Sequence, residues 1–377
     1  MRSPVFFLDL RTEEKADVSH RLARLLNRAN LRDKVEARDL VAVKLHFGEK
    51  GNTTFVEPFF VKTISQRIKA CKGKPFLTDT STLYRSERQD AASHLAIAYA
   101  HGFLPSEVEA PVIIADGIRG NSAVPVTIDK PIFKTVVIAH EIFAADALVS
   151  VAHFKGHELT GFGGTLKNLG MGCASREGKL QQHSNVSPQV KRKACKGCKR
   201  CLPTCPQNAI SMVDPGPDLK RNHPIASIDP KRCVGCAECL LACPFDAIRI
   251  HWNETIPSFQ KKMVEYAYGA TQGKKGKALF LNFVRNVTPL CDCAGLSGDP
   301  IVRDIGIVAS EDPVAIDQAS VHLVNEEEGI RSSKLRGAWK PGEDKFRALY
   351  PNVDWTIQLD YGVQIGLGSR EYELIRV

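Results

Sequence analysis

Eight cysteines of this 377-residue chain fall into two copies of one run, Cys-x-x-Cys-x-x-Cys-x-x-x-Cys-Pro. The first is Cys195, Cys198, Cys201 and Cys205 with Pro206; the second is Cys233, Cys236, Cys239 and Cys243 with Pro244. Thiolates at this spacing hold [4Fe–4S] clusters, and in a tandem pair the fourth cysteine of each run ligates the other run's cluster. Cys195, Cys198, Cys201 and Cys243 are therefore assigned to one cluster. Cys233, Cys236, Cys239 and Cys205 are assigned to the second. Structural zinc also uses Cys-x-x-Cys pairs, but four ligands complete it and a third cysteine at fixed spacing has no part to play. Both runs are complete, so no iron is left open to a substrate and the pair would carry single electrons.

The two runs are halves of an internal repeat, since Cys205-Pro-Gln-Asn-Ala-Ile matches Cys243-Pro-Phe-Asp-Ala-Ile. Asp214-Pro215-Gly216-Pro217 marks the stretch between them. This is the arrangement of two-cluster bacterial ferredoxins.

A second concentration of chemistry precedes the cysteines. Six glycines lie from Gly156 to Gly172, among His153, Lys155, His157 and Lys167. A glycine loop entering a helix presents free backbone N–H groups, which suits an anion. Gly161, Gly163, Gly164 and Lys167 are the candidate cofactor or anion contacts, and His157 and Lys167 the candidate catalytic pair. The pattern is neither a P-loop nor a clean G-x-G-x-x-G. It follows the apolar run Leu148–Ala152, which places it at a strand's carboxyl end, where open α/β sheets keep their ligands.

Three further cysteines, Cys173, Cys291 and Cys293, lie outside the runs. If their loops meet, they and His183 form a candidate third metal site. The competing reading is buried thiols acting as small hydrophobes, which is the one favoured for Cys71. His46, Glu49 and Lys50 follow one apolar run, and Thr78, Asp79, Thr80, Thr82 and Arg85 follow another. Both groups are candidate pocket walls or solvated loops. Asp312 and Asp317 read as a helix cap and a helix-face charge.

The elements that must position these groups alternate. Val5–Leu10, Leu40–Leu45, Pro75–Thr78, Val112–Ala115, Thr135–Ala139 and Ala147–Ala152 read as buried parallel strands. Helices are expected over Pro58–Cys71 and Arg88–His101. After the cysteine runs, Pro257–Tyr268 and Pro313–Glu328 read as helices, Lys277–Phe283 and Asp304–Ala309 as strands. The expected fold is α/β with a mainly parallel sheet (residues 1–189), an inserted small α+β two-cluster ferredoxin (190–252), and an α/β continuation (253–377) completing the first domain.

The formal net charge is +9. Residues 188–252 hold eleven Lys or Arg against five Asp or Glu, hence +6. Each oxidised cluster with its four thiolates brings about two negative charges, so most of this excess vanishes. With no aromatic-interleaved basic run, nucleic-acid binding is not expected. No apolar run approaches the ~20 residues that span a bilayer. Val5–Leu8 is too short for a signal peptide, so a cytoplasmic location is expected. Twelve cysteines there argue for metal or redox chemistry over disulfides.

His157–Gly172, together with TDTSTLYRSE (78–87), TPLCDC (288–293) and ASEDPVAIDQAS (309–320), resembles the iron–sulfur proteins called domain of unknown function 362. The resemblance implies an α/β domain joined to a ferredoxin and supplies no reaction. The stretch His157-x-x-x-Gly-Phe-Gly-Gly-x-x-Lys167 is also similar to a segment of nickel-dependent lactate racemases. That likeness implies a lysine tethering a nickel-pincer nucleotide, an acid/base histidine at His157 and a nickel-ligating histidine at His183. Leu166 and Met171 depart from the racemase pattern, which has a basic residue and a proline there.

The expected function is a redox protein passing electrons from two [4Fe–4S] clusters to a pocket in the α/β domain. A redox partner protein and an anionic small-molecule ligand are its expected partners. The alternatives are a non-enzymatic electron carrier or Fe–S/metal delivery protein, and a non-redox isomerase with structural clusters.

Overall fold

A computed structural model describes residues 2–12, 16–184, 186–216, 219, 223–274 and 276–377. Pro217, at the end of the expected inter-repeat stretch, lies outside them.

The main sheet has eight strands. They are β1 (Ser3–Asp9), β2 (Leu40–Lys44), β3 (Lys74–Asp79), β4 (Val112–Ile114), β5 (Ala147–His153), β6 (Ala278–Val284), β7 (Gly306–Ser310) and β8 (Tyr372–Arg376). Their spatial order is β8-β1-β7-β6-β5-β2-β3-β4. Neighbours run parallel except β7, which is antiparallel to both β1 and β6. The fold is therefore α/β with a mainly parallel sheet, as expected. Strands from both sides of the cysteine runs share this sheet.

The strand sequences fit two buried faces. Ala42, Leu148, Phe280 and Val308 enter one apolar core. Val41, Val43, Val149, Val151, Leu279, Leu281 and Ile307 enter the other. Side chains alternate across a strand, so near-continuous apolar runs are what a sheet covered on both faces requires. Met263 and Val264 of the helix Ile256–Thr271 and Val314 and Ala319 of Pro313–Asn325 cover the first face. Leu22 and Leu25 of Val18–Arg28 and Val61 and Ile64 of Pro58–Ala70 cover the second.

One expectation is corrected: Thr135–Ala139 is a strand, but it pairs antiparallel with Ala123–Thr127 outside the main sheet. Gly306–Ser310 answers the strand expected over Asp304–Ala309 and is the one reversed strand of the main sheet. An apolar run records burial, not direction.

Residues 189–250 build small elements of their own. Gln189–Val190 pairs with Ile248–Arg249, and Ile210–Val213 with Ile225–Ile228. Their apolar cluster holds Cys195, Cys201, Cys239 and Cys243 beside Ile210, Ile225 and Ile248. Leu83 and Leu180 of the larger body join that cluster. No helix among the described residues is long and apolar enough to cross a membrane.

Candidate functional site

The chain visits β2, β3 and β4 moving outward on one side, then returns to β5 and β6 on the other side of β2. The carboxyl ends of β5 and β2 thus flank a switch point, where an α/β sheet opens a crevice. A cavity of about 610 Å³ occupies this place. Lys44 and His46 reach it from β2, Asp79 to Thr82 from β3, His153 and Lys155 from β5, and Cys291 and Cys293 from the loop after β6.

The glycine-rich stretch forms two short paired strands, Lys155–His157 and Gly161–Gly163, before the helix Thr165–Gly170. Gly161 has φ +74°, and a Cβ there would meet Trp355 at 2.6 Å. Only Gly164 of the three candidate glycines lines the cavity. The helix amino end is already taken. Asp317 accepts from Thr165 N at 2.7 Å and Leu166 N at 2.8 Å. Asn282 Nδ2 donates to the same carboxylate at 2.7 Å. Asp317 is therefore corrected from a helix-face charge to a fully buried anion satisfying the loop's N–H groups, and burial pushes its carboxyl up to about 6. Asp312 does cap Pro313–Asn325, accepting from Val314 N and Ala315 N at 2.9 Å each.

Cations converge on the cavity. Lys167 Nζ donates to Cys291 Sγ at 3.0 Å. Burial disfavours the Lys167 ammonium, but Cys291 and Cys293 outweigh that and hold it charged. The hydrogen bond from Cys293 and the charge of Lys167 hold the Cys291 thiol well below the usual range against the effect of burial. Lys155 Nζ lies 3.1 Å from Asp292 Oδ2, and His153 Nδ1 2.8 Å from Asp292 Oδ1. Lys44 Nζ lies 2.9 Å from Asp79 Oδ1. Lys179 Nζ is held by Thr80 Oγ1 and the carbonyls of Ser81 and Ala174, and burial draws it down to about 8. Arg88 Nε lies 3.1 Å from Glu49 Oε2.

His157 Nδ1 accepts from Leu159 N at 3.2 Å and faces Thr160 Oγ1 at 2.9 Å. This fixes the N–H on Nε2, and burial with the nearby Lys167 keeps the ring neutral. His183 lines the same cavity, its ring stacked on Phe259 at 4.6 Å; burial draws it down to about 3. His46 Nε2 is buried with no protein partner.

Cys291, Cys293 and His183 thus meet in one cavity, whereas Cys173 is outside its lining. Burial pushes the Cys173 thiol up to about 11. Arg85 turns away from the cavity to the Cys243 carbonyl and Asp246. Thr78 is buried outside its lining, and Lys50 is on the surface near Glu87. Sequence reasoning missed Lys44, Tyr84, Arg88 and Lys179. Lys44 had a legible signal, a charge interrupting the apolar run of β2. Lys179, in a polar helix, had none.

The cysteine runs gather as two sets. Cys195, Cys198, Cys201 and Cys243 line one small cavity, and Cys205, Cys233, Cys236 and Cys239 line a second. Each fourth cysteine stands with the other run. The backbone repeats as well: Gly197 and Gly235, Lys199 and Ala237, and Asn208 and Asp246 share positive φ at matching places. Amide groups of Ala226, Ala209 and Ala247 point at Cys195, Cys205 and Cys243 Sγ, at 3.4, 3.2 and 3.3 Å. Donors aimed at sulfur suit thiolates bound to iron. Burial, then neighbouring thiols, push the Cys239 thiol up. The donor sets fit [4Fe–4S] clusters. A single zinc ion would draw its sulfurs within about 4 Å of one another. Among the described residues no three His, Cys, Asp or Glu side chains are grouped to hold one metal ion.

Two elements wall both regions. Leu83 lines the large cavity and packs in the cysteine cluster. The helix Arg176–His183 puts His183 in the cavity and Leu180 in that cluster. Arg176, fully buried, pins the seam: Nη1 lies 3.1 Å from Glu238 Oε1, and Nε donates to Thr82 O at 3.2 Å.

The family described as "Domain of unknown function (DUF362)" matches residues 41–322. No curated protein matches the chain. Among solved structures, the lactate racemase apoprotein from Thermoanaerobacterium thermosaccharolyticum is similar at 13% identity and a TM-score of 0.38, covering 74% of this chain and 50% of that one. A Thermotoga maritima protein is similar at 11% identity and a TM-score of 0.34, covering 94% of this chain and 60% of that one. The chain thus spans about half to three-fifths of each of those structures.

Proposed function

The chain belongs to the domain of unknown function 362 family, and within it we propose an oxidoreductase that carries two [4Fe–4S] clusters and passes single electrons to a small anionic substrate in the large cavity. The observation that carries this reading is the shared wall. Leu83 lines the cavity and belongs to the apolar cluster that holds Cys195, Cys201, Cys239 and Cys243, so the two regions share a wall residue.

When bound, the clusters supply one-electron transfer. The chain's residues supply the rest. Lys155, Lys167 and Arg88 offer positive charge where burial strengthens its attraction for an anion. His157, neutral, presents its Nε2–H as a hydrogen-bond donor. Trp252 and Phe259 give the cavity an apolar side. Cys198 is exposed, with Phe245 and Val234 also exposed in the module, which suits the docking of a redox partner protein. An electron carrier would need the exposed cysteines but no cavity lined by buried cations.

The test is reoxidation. Anaerobic protein reduced by dithionite, freed of excess reductant, is mixed with a panel of small oxo acids, enoates and anionic disulfides. A reactive compound restores the visible absorbance of oxidised clusters, and Lys167→Gln slows this without loss of iron. Reoxidation that is indifferent to Lys167→Gln, or that no compound provokes, contradicts the reading.

A further inference from the structure

We propose that Cys291 and Cys293 form a redox-active dithiol, Cys291 the attacking thiolate and Cys293 the resolving thiol, and that the cavity takes a small anionic disulfide. This deepens the oxidoreductase reading by naming the bond reduced, and rests on that reading only for the source of electrons.

The geometry is that of a clamped turn. Ala294 N donates to Cys291 O at 2.9 Å, which folds Cys291 to Ala294 back on itself, and both cysteines line the one cavity. Between them, Asp292 is fully buried and held by His153 and Lys155, while its carbonyl accepts from Glu49 N at 2.9 Å. Lys167 Nζ donates to Cys291 Sγ at 3.0 Å. A cation at this distance favours the thiolate, the nucleophilic form.

The two sulfurs are placed differently. Cys291 lines only the inner cavity. Cys293 lines the cavity and also a surface groove with Tyr84, Arg85 and Leu241. Leu241 sits between Cys239 and Cys243. The pair thus bridges the cavity to the flank of the cysteine module. With Cys173 outside the cavity, two of the three leftover cysteines, Cys291 and Cys293, meet here, the complement of a dithiol.

The exchange balances. The Cys291 thiolate attacks one sulfur of the substrate disulfide. The substrate S–S bond breaks, a mixed disulfide forms on Cys291, and one product thiolate leaves. Cys293 gives that thiolate its proton and attacks Cys291 Sγ. The protein S–S bond forms and the second product thiolate leaves. The substrate gains two electrons and the dithiol loses two. Two electrons and one proton, from a one-electron carrier acting twice, reopen the pair, with the proton on Cys293 and the thiolate against Lys167.

The test uses full-length, anaerobically purified protein and oxidised glutathione as the probe. Trypsin releases Asn286–Arg303, which carries both cysteines. After exposure this peptide should lose two hydrogens, reversibly with dithiothreitol. Cys293→Ser should instead accumulate a glutathione adduct on Cys291. Lys167→Gln should slow alkylation of Cys291 by iodoacetamide about tenfold at neutral pH. A peptide that stays reduced under excess oxidised glutathione, or a metal ion retained by the pair, overturns the proposal. Iron content of the same sample separates the two readings. Peptide oxidation in iron-free protein would sink the electron supply and leave the dithiol standing; an inert peptide in iron-replete protein would do the opposite.

Discussion

A Cβ on Gly164 would stand 2.4 Å from Oδ1 of Asp317. The carboxylate fills the helix amino end that a bound phosphate would otherwise use, and the glycine lets it in. An anion in the cavity would therefore meet side chains deeper within it, not the backbone loop. Gly164→Ala should destabilise the fold by about 1–3 kcal/mol through overpacking. Asp317→Ala should cost about 2–4 kcal/mol by stranding the Thr165 and Leu166 amides and Asn282. Because Asp317→Ala vacates the contested space, the double variant should cost less than the sum. Denaturant unfolding of the four proteins measures this.

The cavity should make the protein acid-sensitive. The folded-state value of His183, about 3, lies below its ordinary value, 6.5. The unfolded chain takes up this proton below pH 6.5 while the folded chain refuses it. Stability is therefore complete above 6.5 and falls as the pH drops toward 3, by at most about 1.4 kcal/mol per pH unit for this group. His94, also drawn to about 3 by burial, adds in the same direction. His183→Phe should preserve the stack on Phe259 and flatten the pH–stability curve by up to one proton's slope. An unchanged slope contradicts the assignment.

The seam between the cysteine module and the larger body depends on Arg176. Arg176→Ala leaves Glu238 without its buried partner, at a cost of about 3–5 kcal/mol. Arg176→Met with Glu238→Leu should recover most of that loss, since no uncompensated charge remains. Thermal unfolding followed by far-UV circular dichroism distinguishes the two. Equal destabilisation by both variants would mean that packing, not charge, holds the seam.

The sequence made the main sheet legible where burial alone decided it. β2, β3 and β5 are apolar runs, and each emerged within a residue or so of its expected bounds. Direction and partner were not legible. Gly306–Ser310 and Thr135–Ala139 have the same apolar character as the parallel strands, yet one is reversed and the other lies in a separate pair. β8, Tyr372–Arg376, escaped notice because this edge strand is only partly buried and carries the exposed Glu373 and Arg376, which break its apolar run. In the cavity, His157, Lys167, Cys291 and Cys293 stood out by type and spacing. Asp317 and Lys179 did not, because what makes them important is a partner far along the chain.

The central claim is that each fourth cysteine serves the other run's cluster, and iron per chain tests it most directly. Anaerobically purified protein should hold about eight irons with matching acid-labile sulfide. Cys243→Ala should disturb the cluster of Cys195, Cys198 and Cys201, and Cys205→Ala that of Cys233, Cys236 and Cys239. Cys243→Ala combined with Cys198→Ala should then lose about four irons, no more. Loss of all eight in that double variant, or a wild-type chain without iron, would contradict the account.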